Sequence, residues 1–287
     1  MLFILIVIRH IGPIKSKVVQ WAFHYEWDFL NHMKYVLPWA FRDVDHQIVP
    51  NDTTPDFLAC FCYPPPGVPD TKKFTNLCFL LCGEKHDRHA LAENVYQFCQ
   101  NPSESDHKNT RYSPTMCIWG RPTSKKKTKP CSVVESGKWP YRLELIEAVS
   151  RKMKTDIYKN LPGYHYREDN KKYVGIENHA FYLGIENCCL DDYITEKYFD
   201  AVLSEACPIY YGAPNIGLYA EKSSYMPMDD ALARDWDDWK EEYLKRRDGI
   251  LKQKEFIRTK LNFFSYFNHL TDNLNLLSEK RPITLIS

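Results

Sequence analysis

The chain has 287 residues, 44% hydrophobic and 26% charged, with a formal net charge of +1. Such a length suits about two globular domains, and so even a charge balance gives no overall field that would draw the chain onto nucleic acid or an anionic membrane. The opening run Met1–Ile8 is apolar but far short of the roughly 20 residues that span a bilayer, and Arg9, His10, Gly12 and Pro13 end it. It reads as an edge strand or as the stub of a signal anchor, without a basic leader or a small-residue cleavage site. Strands are expected at Lys17–Phe23, weakly at Phe41–Val49, at Asp56–Cys62 and at Leu77–Cys82, with a helix over Trp27–Leu37 that Pro38 ends. Strands alternating with helices make this half an α/β domain.

Glu84 follows a buried strand and Gly83, the usual place for a residue that lines a crevice. Gln100–Lys129 is polar, and its basic run Lys125, Lys126, Lys127 and Lys129 reads as a solvated linker. The domain boundary is therefore expected near 128, giving an amino-terminal α/β domain over 1–128 and a carboxyl-terminal one over 129–287. Cys131–Val134 opens the second domain as a strand. A loop from Glu135 then leads into a helix with Leu143, Ile146, Val149 and Met153 on its apolar stripe. Arg142 falls near that helix's amino terminus, where a guanidinium suits diphosphate oxygens.

The second domain is organised around Phe181–Pro214, which reads as strand, loop, helix and strand. Phe181–Ile185 is a buried strand. Tyr198, Phe199, Val202, Leu203 and Ala206 recur at helical spacing, and Pro208–Tyr211 is the second strand. Such a unit is normally a right-handed crossover between parallel strands. Asn187, Tyr193, Glu196 and Lys197 fall in the loop or first helical turn, where free N–H groups and the helix dipole suit a phosphate. Lys197 offers a cation, Glu196 an acceptor for sugar hydroxyls, and Asn187 and Tyr193 neutral polar contacts. No GxGxxG or GxxxxGK cradle is present. After Pro214 the chain reads as helical, with Trp236, Trp239 and Tyr243 on one face, a break at Gly249 and a further helix over 250–270.

Of the ten cysteines, Cys60, Cys62, Cys78, Cys82 and Cys207 lie in apolar runs and read as small hydrophobes. Reduced thiols are expected. Cys78, Cys82, His86 and His89 match no familiar zinc spacing. Asp191 and Asp192 are adjacent rather than spaced, so no required metal is expected.

Ile185-Glu-Asn187, then Asp192-Tyr-Ile-Thr-Glu-Lys197, then Pro208-Ile-Tyr-Tyr-Gly-Ala-Pro214 resembles the donor-site signature of the α-1,3-fucosyltransferases, glycosyltransferase family 10. Ile185 stands for that pattern's aromatic residue and Tyr211 for its tryptophan. Cys82-Gly-Glu-Lys85 resembles the family's Thr-Gly-Glu-Asn segment, with lysine for asparagine. Glu135-Ser136 stands where the family has Ser-Asn ahead of the arginine.

The resemblance implies an α/β fold of the GT-B type, two Rossmann-like domains facing across a cleft. It implies an inverting transferase that moves L-fucose from GDP-β-L-fucose to a hydroxyl of an acceptor glycan. Glu84 would be the catalytic base. Glu196 would support the reacting sugar, and Arg142, Asn187, Tyr193, Glu196 and Lys197 would bind the donor. No cofactor beyond GDP-fucose itself, and no nucleic-acid partner, is implied. Without a convincing membrane span the chain is expected to be soluble and cytoplasmic; the Golgi lumen would apply only if the apolar stub were the remnant of an anchor. The alternatives are a GT-B transferase using another nucleotide sugar, and a non-catalytic glycan- or nucleotide-binding protein of the same fold.

Overall fold

The structure is a computed structural model. It describes the backbone of seven strands between residues 6 and 112, and residues 113, 122–135, 139–159, 171–262, 265–266, 269–270 and 278. The chain divides into two compact units, Met1–Met116 with Phe263–Ile283, and Cys117–Asn262 with Thr284–Ser287. That division falls ahead of residue 128, and most of the tail beyond 262 groups with the first unit.

The first unit holds β1 (Ile6–Arg9), β2 (Val18–Trp21), β3 (His46–Ile48), β4 (Phe57–Phe61), β5 (Leu77–Leu81), β6 (Val95–Cys99) and β7 (Thr110–Tyr112). They form one sheet in the order β3-β2-β1-β4-β5-β6-β7. β1 pairs antiparallel with both β2 and β4, and every other pairing is parallel. The end of the opening apolar run, Ile6–Ile8, thus lies in an interior strand, not an edge. The predicted helix over Trp27–Leu37, Glu84 and the Cys78–His89 set of possible zinc ligands lie outside the residues whose side chains are described.

The second unit holds β8 (Lys129–Glu135), α1 (Pro140–Ser150), β9 (Thr155–Lys159), α2 (Lys171–Val174), β10 (His179–Ile185), α3 (Glu196–Leu203), β11 (Cys207–Tyr211), β12 (Met226–Pro227), α4 (Met228–Ala233) and α5 (Trp239–Phe256). Its sheet runs β12-β11-β10-β8-β9, and every pairing is parallel. All seven residues of β10 are buried. Successive residues of a strand point to opposite faces, and here both faces are covered. Phe181, Leu183 and Ile185 pack with Ile146, Val149, Met228, Trp236, Tyr243 and Ile250. Tyr182 and Val134 pack on the other side with Ala201, Ala206 and Ile176. Trp236 meets Phe181 edge-on, with ring centroids 4.9 Å apart. The buried thiols Cys131 and Cys207 pack as small hydrophobes, and burial pushes each thiol up to about 12.

α5 does not stop at Gly249. That glycine is buried mid-helix, and a Cβ there would lie 2.1 Å from Ser223 Oγ and 2.8 Å from the Ser223 carbonyl carbon. Its absent side chain lets the helix lie against the 222–224 turn. α5 then closes in a π-type turn over Ile257–Leu261. α3 ends with Glu205 at φ 58°, and the amides of Glu205 and Ala206 bond back to the carbonyls of Val202 and Ala201, both at 2.9 Å. Glycine usually takes this left-handed position. Here the side chain is held instead, by Lys254 Nζ at 2.8 Å and Ser124 Oγ at 3.1 Å.

The basic run is not a free linker. Lys125 pairs with Glu177, and Lys129 with Asp156 at 2.6 Å. Lys127 Nζ donates to the carbonyls of Glu177, at 2.7 Å, and of Ser204. Partial burial pushes the Lys127 ammonium down from its usual 10.5 to about 8. The native chain therefore gives up this proton across that interval while the unfolded chain keeps it. Stability contributed through Lys127 must rise with pH from about 8 to 10.5 and stay flat below 8. A neutral amine still has N–H groups for both carbonyls. Lys127→Met is expected to be destabilised at pH 7, with a deficit relative to the native chain that widens as pH rises through the window. Denaturant titrations of both proteins at several pH values check this.

Candidate active site

The site lies at the carboxyl edge of the five-stranded parallel sheet, where loops of such sheets form a ligand crevice. β8 and β10 are neighbours, in the register that pairs Phe181 with Cys131. Each ends on, or just before, a buried glutamate. Glu135 is the last residue of β8 and is 2% exposed, and Glu186 directly follows β10 and is 0% exposed.

α1 opens with Pro140 at its first turn, where a missing N–H costs nothing. Arg142, in that turn, is buried and turns back toward the strand ends. Its NH2 lies 2.8 Å from Glu135 Oε2, and its NH1 donates to Asn187 Oδ1 at 2.9 Å. Two residues expected to bind a donor, Arg142 and Asn187, are thus in direct contact. The hydroxyl of the adjacent Tyr141 donates to the Glu186 carbonyl, and its ring sits 6.4 Å from that of Tyr211. Tyr211 and Ile185, the two departures from the resembled signature, both pack on the core.

α3 begins at the second cluster. Thr195 is its N-cap. The Thr195 amide donates to Glu186 Oε1 at 2.7 Å, and its hydroxyl to Glu186 Oε2 at 2.6 Å. Lys197 Nζ donates to Thr195 Oγ1 at 3.0 Å and to Glu196 Oε1 at 3.2 Å, and lies 3.5 Å from Glu186 Oε2. The ammonium is therefore engaged on one side. Full burial pushes the Glu186 carboxyl up, while the charge of Lys197 pulls it back down. Glu196 is only half-buried at the helix start, where a carboxylate is favoured by the dipole.

The loop between the clusters is fixed by Asp192, a buried residue at φ 67°, a region that aspartate tolerates better than most side chains. Its amide donates to Asn215 Oδ1 at 2.8 Å, and its Oδ1 accepts from Asn215 Nδ2 at 2.7 Å and from the Tyr219 hydroxyl. Tyr193 is half-buried, and its carbonyl accepts from the Tyr210 hydroxyl at 3.3 Å. Among the described residues no group of three or more His, Cys, Asp or Glu is placed to hold a metal ion. No described helix is long and apolar enough to cross a membrane. The four cysteines with described side chains, Cys131, Cys188, Cys189 and Cys207, are thiols that form no disulfide.

The sequence points to Arg142, Asn187, Tyr193, Glu196 and Lys197 but gives Glu135 and Glu186 no task. Glu186 stands inside the Ile185-Glu-Asn187 motif, and that position was the available signal. Glu135 reads as the start of a loop, yet two valines precede it and the strand runs on through it.

Residues 122–246 match the family model for glycosyltransferase family 10 (fucosyltransferase), C-terminal. A putative fucosyltransferase-like protein of Arabidopsis thaliana is 35% identical over 86 residues, 29% of this chain and 16% of that protein. A GDP-fucose protein O-fucosyltransferase 3 of Danio rerio is 40% identical over 52 residues, 18% of this chain and 11% of that one. The matches thus span no more than 16% of the length of these curated relatives. A crystal structure of an α1,3-fucosyltransferase with GDP-fucose superposes with a TM-score of 0.50 at 17% identity, covering 87% of this chain and 94% of that one. A DNA-modifying β-glucosyltransferase gives 0.50 at 13% identity, covering 85% and 93%. At such identities the likeness speaks for the fold, which is α/β of the GT-B type. Family match and fold agree with the motif that organises the second unit, and over residues 122–246 the chain is similar to the C-terminal domain of glycosyltransferase family 10 (fucosyltransferase).

Proposed function

We propose that the protein is an inverting fucosyltransferase that moves L-fucose from GDP-β-L-fucose to a hydroxyl of an acceptor glycan. The observation that carries the reading is the pair of cation-bearing clusters at the carboxyl edge of the parallel sheet. Arg142 is buried against Asn187, and Lys197 stands at the start of α3. The family match and the GDP-fucose bound by the similar α1,3-fucosyltransferase support the choice of donor.

In this reading the diphosphate lies against Arg142, Lys197 and the amides that open α3. Inversion is one in-line displacement. The bond from the fucose anomeric carbon to the diphosphate oxygen breaks as the bond to the acceptor oxygen forms. Charge grows on the departing diphosphate, and preorganised cations in a partly dry site stabilise it there. The sugar becomes oxocarbenium-like. Glu196 supports that charge or holds sugar hydroxyls, and Asn187 and Tyr193 orient the fucose–phosphate region. Glu84 takes the acceptor proton. With two cations on the diphosphate, the reaction needs no metal, and activity should persist in a chelator.

The test is release of GDP from GDP-fucose, GDP-mannose and UDP-glucose, followed by transfer to a glycan array. Turnover of GDP-fucose is expected. Turnover of another donor instead would change the sugar, and binding without turnover would make the chain a binding protein. A positioned base contributes about 10²–10⁴-fold. Glu84→Gln should therefore cut saturated turnover by that order and leave GDP affinity near normal. Turnover close to the native rate would place the base elsewhere, with Glu93 and Glu196 as the next residues to test.

A further inference from the structure

Each cation of the site has a buried carboxylate behind it. Glu135 backs Arg142 at 2.8 Å and Glu186 backs Lys197 at 3.5 Å, and both carboxylate side chains are 0% exposed. The two come from the ends of neighbouring strands, β8 and β10, with Glu135 toward α1 and Glu186 toward α3. Stability does not account for the pairs. Desolvating two charges costs about as much as their attraction returns, and well-packed apolar residues commonly do as well or better. The rise that burial causes in the Glu186 carboxyl is a sign of that cost.

What the pairs do supply is orientation. An arginine side chain has several freely rotating bonds. An ion pair with Glu135 and a hydrogen bond to Asn187, which belong to different elements, restrain its guanidinium. Arg142 Nε is buried with no hydrogen-bond partner, so those two contacts are what anchor the group. Glu186 works through an intermediary. Both of its oxygens are taken by Thr195, whose hydroxyl in turn accepts from Lys197 Nζ. Gly212 is moulded to it: a Cβ at 212 would lie 2.4 Å from Glu186 Cγ.

We propose that Glu135 and Glu186 are a matched pair of positioning residues that hold Arg142 and Lys197 in the arrangement a nucleoside diphosphate requires. The inference rests on the reading of this edge as a diphosphate site. Glu135 is also a feature of this chain rather than of the resembled signature, which has Ser-Asn where Glu135-Ser136 stands.

The experiment uses the full chain and two probes, GDP and guanosine, with calorimetry or competition as readout. Glu135→Gln and Glu186→Gln are each expected to weaken GDP by about tenfold or more, because a misplaced cation loses its charge-assisted contacts. Guanosine has no phosphate, and its affinity should change little. A general loosening of the pocket would weaken both probes alike. Glu135→Asp and Glu186→Asp keep the charge and should recover part of the loss. They also carry the test if a glutamine variant fails to fold. In an Arg142→Ala background, Glu135→Gln should cost nothing further and should recover part of the loss, because it removes the carboxylate's uncompensated charge. GDP affinity within about twofold of native in the variants, or equal losses for GDP and guanosine, would overturn the proposal while leaving the diphosphate site standing. No GDP binding by the native chain would overturn the reading of the site itself, and the proposal with it.

Discussion

Arg142→Ala is expected to reduce GDP affinity by about 30-fold or more. Removing one partner of a buried, hydrogen-bonded charge pair costs about 2–5 kcal/mol, and each 1.4 kcal/mol is roughly tenfold. Two losses combine in this variant. The diphosphate loses a cation, and Glu135, with its side chain 0% exposed, is left with an uncompensated charge beside the ligand's own negative charges. Arg142→Lys should recover little, since an ammonium cannot bridge Glu135, Asn187 and a phosphate in one plane. Lys197→Ala should weaken GDP less, because Arg142 and the positive end of the α3 dipole remain. Calorimetry with GDP measures all three, and unchanged affinity in Arg142→Ala would refute the phosphate assignment.

Gly212→Ala is expected to damage fold and site together. The added Cβ would lie 2.4 Å from Glu186 Cγ, 2.6 Å from the Tyr210 hydroxyl oxygen and 2.8 Å from Tyr210 Cζ. Neither neighbour gives way easily. Glu186 is pinned by two bonds from Thr195, and the Tyr210 hydroxyl accepts from the Ala213 amide at 3.1 Å. Overpacking of this kind costs about 1–3 kcal/mol. The melting temperature should fall by several degrees, roughly 2–8 °C per kcal/mol according to domain size. GDP affinity should fall with it, because displacing Glu186 moves Thr195 and Lys197. Native melting and native GDP affinity in this variant would show that Glu186 does not order the start of α3.

The second unit was largely legible from its sequence because its central elements are buried on both faces. β8, β10 and β11 are apolar runs, and α3 has an apolar stripe wide enough to bury seven of its eight residues. The edges were harder to read. β9 shows little apolar pattern and leaves Ile157 45% exposed, and β12 has two residues. Gly249 reads as a helix break because glycine is a poor helix former, but the approach to Ser223 is a tertiary fact that a local reading does not contain. The same holds at the site. Residue type and spacing mark Arg142, Asn187, Glu196 and Lys197. That Glu135 turns toward Arg142, seven residues on, depends on how α1 folds back over the strand ends. The positive φ of Asp192 likewise depends on Asn215 and Tyr219, which lie far along the chain.

Hydrogen exchange of the full chain with and without GDP tests the central claim most directly, because it reports where the ligand sits as well as whether it binds. GDP is expected to slow amide exchange in the first turn of α1, around Arg142, and from Glu186 through Lys197. Exchange in β9 and in the body of α5 should be unchanged. Protection confined to other segments, or none at saturating GDP, would contradict the assignment of this sheet edge as the donor site.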